Sequence, residues 1–204
     1  MTAPPVAAAW AFCGVAVVLL LMPSVGGYGT ITWALHPIFT LLGVFAVAPY
    51  GLFAYRESSG AKSREAARAA HGAAMAGAFL LMVLGAAVAW GVHASKGHAH
   101  FPALTKPLLK IAHVYGAYAL LLAFAAQAVA GALKARSLAA GGGRVFPWHG
   151  AVGPALWAAA AAVAAGGLAI PFALSPNGNA PVAVLLVGGA LAVAAAGVHA
   201  LVFA

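Results

Sequence analysis

"LHPIFTLLGVFAVAPYGLFAYR" (Leu35–Arg56) decides how this chain is read. No charged residue stands between His36 and Arg56, which lie twenty positions apart. A helix rising 1.5 Å per residue covers about 30 Å in that distance, the thickness of a bilayer's hydrocarbon core. Apolar residues fill it without the alternation of a β-barrel strand, so a membrane-spanning helix is the natural reading. His36 sits at its head. An ionisable or strongly polar group carried into a bilayer is costly and marks a functional position, so His36 calls for a partner.

The rest of the chain agrees. Of 204 residues, 65% are apolar and only 6% charged. A soluble domain of this size needs far more surface charge. The net charge of +8 is therefore a topology signal in loops and not a nucleic-acid footprint. The single cysteine, Cys13, excludes an internal disulfide and a CxxC metal site. The opening "MTAPPVAAAW" has no basic region, so the first apolar run reads as a retained span.

Six such runs occur, at about 5–22, 31–55, 67–92, 108–133, 149–172 and 181–203. The expected fold is an all-α membrane protein, one domain over 1–204, with spans 2–5 forming a central four-helix bundle. The loop after span 2 carries Arg56, Lys62, Arg64 and Arg68, and the loop after span 4 carries Lys134, Arg136 and Arg144. Those loops lie on one side and hold seven of the ten basic residues; the positive-inside rule places them, and both termini, in the cytoplasm. Lys96, Lys106 and Lys110 then belong to the outer side.

Eight histidines are present, and four have a paired distribution. His36 and His113 lie near the outer ends of spans 2 and 4. His71 and His149 lie near the inner ends of spans 3 and 5. Imidazole is the commonest side-chain metal ligand, and an iron with two axial imidazoles takes one from each of two helices at one depth. Two b-type haems follow as the expectation. From the spacing of His36 and His71 to Arg56 and Arg68, the two levels stand about 20–25 Å apart. Gly43, Gly116, Gly153 and Ala74 share helix faces with the four histidines and leave room for a flat macrocycle. Each imidazole is expected to donate its other ring N–H to a carbonyl one turn back. His199 lies deep in span 6 near the inner face and reads as structural. His93, His98 and His100 cluster in the outer loop, where "HASKGHAH" offers no scaffold visible in sequence; they are candidates for an outer substrate or metal site.

These segments resemble the cytochrome b561 family of six-helix dihaem transmembrane oxidoreductases. The resemblance rests on His-Pro and Tyr55-Arg56 at the two ends of span 2 and on His71 in "RAAHGAAMAGAFLLMVLG". It rests also on His113, Gln127 and Gly131 in "KIAHVYGAYALLLAFAAQAVAG", and on Pro147, His149 and Gly153 in "PWHGAVGPALWAAAAAVAAGGL". It implies that His36 and His113 hold an outer haem and His71 and His149 an inner one. Lys106 and Lys110 are placed for the outer propionates, Arg68 and Arg144 for the inner. Tyr55, Arg56 and Lys62 could receive an anionic, ascorbate-like reductant from the cytoplasm, with ferric iron or an organic radical as acceptor outside. The segment "KIAHVYG" stands where ascorbate-using members carry Ser-Leu-His-Ser-Trp around the outer ligand, a departure that speaks against an ascorbate-type partner on the outer face. Alternative readings are a dihaem cytochrome linked to quinone or superoxide, and a haem-bearing anchor of a larger redox complex. A homodimer or a partner subunit fits either, and a GC-rich bacterium's inner membrane is the expected home. A histidine-based metal transporter is disfavoured, because Glu57 and Glu65 are the only acids and both lie in one loop.

Overall fold

The computed structural model describes residues 31–54, 61–143, 145–173 and scattered positions between 188 and 199. The described residues form four long helices and no strand. Helix α1 consists of α-helical Ile31–Leu41, a π-helical stretch Leu42–Val47 and α-helical Ala48–Phe53. Helices α2 (Ala61–Ser95), α3 (Leu108–Ala139) and α4 (His149–Ala173) follow. All four are long and apolar enough to cross a membrane. The expected spans 5–22 and 181–203 lie outside the described residues, apart from isolated helical positions such as Gly188 and His199.

Helices α2 and α3 outrun the apolar stretches that announce them. Alanine, lysine and arginine are good helix formers, so α2 starts within the basic turn at Ala61 and α3 continues through "KARSLA". Glycine stops both. At the end of α2, Gly97 takes φ +64°, its N–H bonds to Ala94 O at 3.1 Å and the next N–H, from His98, bonds to His93 O at 2.9 Å. Gly141 repeats this after α3: φ is +72°, and Gly142 N–H bonds to Ser137 O at 2.8 Å. Both are Schellman caps, which need the left-handed conformation that glycine adopts without strain.

The helices run up, down, up and down. His36, early in α1, meets Gly85, late in α2, and His71, early in α2, meets Gly51, late in α1. Helices α3 and α4 are related in the same way through His113 and Val163. The main packing is α1 on α2 and α3 on α4, and α1 also touches α4. Small residues let the first pair approach closely, as expected where lipid supplies no hydrophobic drive. A Cβ on Gly43 would meet Ala78 O at 2.9 Å, and one on Gly85 would meet Thr40 Oγ1 at 2.6 Å. Leu41, Val44, Phe45 and Trp157 form the core. Leu122 is 73% and Val129 60% exposed on the flanks, an apolar exterior suited to lipid.

The π stretch has an identifiable cause. Ala48 N–H bonds to Gly43 O, five residues back. The next bond in that register would run from residue 49 to Val44 O, but residue 49 is proline and has no N–H. Trp157 of α4 supplies the donor: its indole N–H bonds to Val44 O at 2.8 Å. The bond lies in the centre of the bundle, between the two histidine levels.

Candidate functional site: two opposed histidine pairs

The four singled-out histidines meet as two pairs. At the upper end, which carries the 96–107 loop, His36 of α1 faces His113 of α3, with ring centroids 6.1 Å apart and planes crossed at 78°. At the lower end His71 of α2 faces His149 of α4 at 6.2 Å and 80°. On α2, His71 and the upper-level contact Gly85 are fourteen residues apart, as are His149 and Val163 on α4. At 1.5 Å per residue the two levels stand about 21 Å apart.

Backbone carbonyls set the tautomers. His36 Nδ1 lies 2.9 Å from Gly85 O, His71 Nδ1 2.9 Å from Gly51 O, and His113 Nδ1 2.9 Å from Val163 O. A carbonyl only accepts, so each Nδ1 carries the hydrogen, and the neutral ring keeps its lone pair on Nε2. The acceptors belong to the antiparallel neighbour helix, not to a turn of the histidine's own helix as the sequence suggested. Within one helix the carbonyl one turn back is already bonded along the ladder and faces along the axis. Across the interface, glycine leaves backbone bare: Gly85 and Gly51 are themselves acceptors, and Gly167 lies one turn beyond Val163.

This donor set fits a metal with two axial imidazoles. An imidazole nitrogen bonds a metal at about 2 Å and stands about 1.1 Å from its ring centre, so two rings across one ion put their centroids roughly 6 Å apart. Two further glycines make room for the rings. A Cβ on Gly131 would come within 2.9 Å of His149 Cε1, and one on Gly167 would run into the His113 ring. Sequence reading placed the small residues elsewhere: Gly43 and Gly116 face neighbouring helices, where a Cβ would meet Ala78 O at 2.9 Å and Val163 Cγ2 at 3.2 Å. Gly131 was singled out only through the family resemblance, and neither it nor Gly167 shows in sequence that it borders an imidazole. Only the cross-helix contact reveals them.

His149 differs from the other three. Its Nδ1 is buried without a hydrogen-bond partner, and so is Gln127 Oε1. Gln127 Nε2 donates to His149 O at 2.6 Å. Gln127 is the one buried polar side chain among the described residues.

The upper loop is more ordered than its sequence suggested, because the glycine cap folds it back over the bundle. His93 and His100 approach through their Nδ1 atoms at 3.1 Å, and His100 Nε2 lies 2.8 Å from Tyr118 Oη. Trp33 stacks on His36 at 5.8 Å and meets His93 edge-on at 5.2 Å, linking this cluster to the upper pair. Burial, and next the neighbouring His93, hold the His100 imidazole below its usual pKa of 6.5. His98 is exposed, and with Trp90, His100 and Phe101 it lines a concavity of about 280 Å³. No cluster of three metal-ligating side chains occurs among the described residues, and His93 and His100 meet there as a hydrogen-bonded pair.

Of the basic candidates, Lys106 and Arg68 are exposed, and Lys110 is half-buried early in α3. Tyr55, Arg56 and Arg144 lie outside the described residues, and Lys62 is described only as part of α2. His199 is helical and exposed.

No curated protein matches the chain. The family model for eukaryotic cytochrome b561 matches residues 35–173, from the residue before His36 to the end of α4. That range is 139 of the 204 residues and takes in both histidine pairs. The chain belongs to the cytochrome b561 family, whose members are transmembrane oxidoreductases that move electrons on b-type haem.

Proposed function

We propose that this chain carries electrons across the membrane through two bis-histidine b-type haems, with His71 and His149 as ligands on the cytoplasmic side and His36 and His113 on the outer side. The observation that carries the reading is the pair of facing imidazoles at each of two levels, with Nδ1–H committed to carbonyls in three of the four and Nε2 left to ligate. Haem, when bound, supplies one-electron redox chemistry. The chain's own residues do the rest.

The carbonyls of Gly85, Gly51 and Val163 each hold one imidazole proton at Nδ1. That fixes ring orientation and raises the basicity of Nε2. Gly131 and Gly167 let the rings of His149 and His113 lie against backbone. The packed centre around Phe45 and Trp157 excludes water between the levels, so charge crosses through protein and cofactor without a moving part. Lys106 and Lys110 above, and Arg68 and Arg144 below, supply cations for propionates. Arg56, Lys62 and Tyr55 lie on the side where an anionic, ascorbate-like reductant would be attracted. On the outer side His93, His98 and His100 form the receiving surface, with ferric iron or an organic radical as acceptor. Positive-inside asymmetry supports this orientation, with both termini cytoplasmic.

Haem content of the purified protein, with a reduced-minus-oxidised spectrum, tests the reading. Two b-type haems per chain are expected. His71→Ala or His149→Ala should each remove one haem and leave the other; removal of both by either variant, or a wild-type count of one, would overturn the pairing. Turnover with ascorbate, a quinol and ferric chelates then identifies the donor and acceptor.

A further inference from the structure

Three imidazoles rest on backbone carbonyls, and the fourth does not. Among the described residues, the two buried side-chain polar atoms without a partner are both at that fourth ligand: His149 Nδ1, a donor in the ligating tautomer, and Gln127 Oε1, an acceptor. Their coincidence is physically pointed. Leaving either buried group unmade costs about 1–3 kcal/mol, and the two are complementary.

The surroundings hold Gln127 to this task. Its amide cannot be reversed, because Oε1 would then face the His149 carbonyl instead of Nε2 donating to it at 2.6 Å. Gly153, one turn beyond His149, borders the same amide: a Cβ there would stand 3.7 Å from Gln127 Nε2, an ordinary contact. Gly131, one turn beyond Gln127 on α3, leaves the space in which the His149 ring lies. Gln127 and Gly131 thus present one face of α3 to a single residue, the amide to its backbone and bare backbone to its ring.

We propose that Gln127 is the positioning residue of the lower pair: its Nε2 clamps the His149 carbonyl, and its Oε1 accepts the His149 Nδ1–H, directly or across one water. The lower level then has one ligand tuned by a replaceable side chain, whereas both upper ligands are tuned by backbone. An acceptor on Nδ1–H strengthens the imidazole as a donor and favours oxidised iron. Loss of that acceptor should make the lower haem easier to reduce and leave the upper one alone. The inference rests on the two-haem reading above.

Redox titration of the purified, haem-loaded protein tests it, with the lower component assigned as the one missing from His71→Ala. Gln127→Leu removes the acceptor. At a fixed ambient potential the reduced-to-oxidised ratio of the lower component should rise about tenfold, which is ~59 mV for one electron, while the upper component stays put. Gln127→Glu keeps an acceptor and makes it a stronger, charged one, so it should take that ratio below the wild-type value. A change under twofold in the leucine variant, equal shifts of both components, or glutamate moving the ratio the same way as leucine would overturn the proposal. If the leucine variant loses haem, the glutamate variant decides alone: a fall confined to the lower component supports the assignment, and no shift overturns it. A wild-type protein with a single titrating component overturns the two-haem reading itself, and is told apart by needing no variant.

Discussion

Trp157 donates its indole N–H to the carbonyl of Val44 at 2.8 Å, across 113 residues of sequence and in the driest part of the bundle. The bond replaces the N–H that Pro49 lacks, so the π-helical turn of α1 depends on a side chain of α4. Trp157→Phe keeps most of the ring and leaves the carbonyl unpaired. It should lower stability by about 1–3 kcal/mol, the cost of an unmet buried acceptor. Thermal unfolding in detergent checks this, with the haem count unchanged, because the bond lies between the two histidine levels and involves none of the four histidines.

Sequence made the four helices and the two histidine levels legible, since both follow from the lengths of apolar runs and from residue spacing. The π turn was not legible. Pro49 gives notice of a disturbed ladder, but its consequence depends on a donor that folding brings from α4. The Nδ1 acceptors were misplaced for a similar reason: a backbone carbonyl has no sequence identity, and which one an imidazole reaches depends on where glycine bares the neighbouring helix. "HASKGHAH" was legible only as a loop. Gly97 does not declare its left-handed conformation, yet that cap is what brings His100 under Tyr118.

Glycine substitutions separate the two levels without touching a ligand. A Cβ at position 167 collides with the His113 ring, and one at 131 comes within 2.9 Å of His149 Cε1. Gly167→Ala should therefore lose the haem proposed for His36 and His113, and Gly131→Ala the one proposed for His71 and His149. Gly72→Ala is the control, because nothing lies within 4 Å of its added Cβ. Haem stoichiometry and the reduced spectrum of each variant are the measurements. Loss of the same haem from both variants, or of both haems from either one, would contradict the assignment of levels.

The approach of α1 to α2 gives a further expectation. An added Cβ at Gly85 would stand 2.6 Å from Thr40 Oγ1 and 3.0 Å from His36 O. Gly85→Ala wedges the helices apart at the position where Gly85 O holds His36 Nδ1. Overpacking of this kind costs about 1–3 kcal/mol. Thermal unfolding should show that loss, together with faster release of the haem proposed for the His36–His113 level.

The upper loop should respond to acid through His100. Its imidazole is held neutral, below 6.5, by burial and then by neighbouring His93. The unfolded chain takes up a proton there as pH falls through its ordinary value, and the folded chain does so only at lower pH. The stabilising preference for the folded state is therefore present above about 6.5 and is lost as pH falls. With haem bound as proposed, the four paired imidazoles would be taken up by iron, leaving the loop histidines to set this slope. His100→Gln removes the titration while keeping a side chain able to bond Tyr118. Between pH 7.5 and about 5.5 the wild-type unfolding temperature should drop more steeply than that of the variant. Parallel slopes would show that the His93–His100–Tyr118 string contributes nothing to the folding of the loop, and that its place beside Trp33 and His36 is incidental to stability.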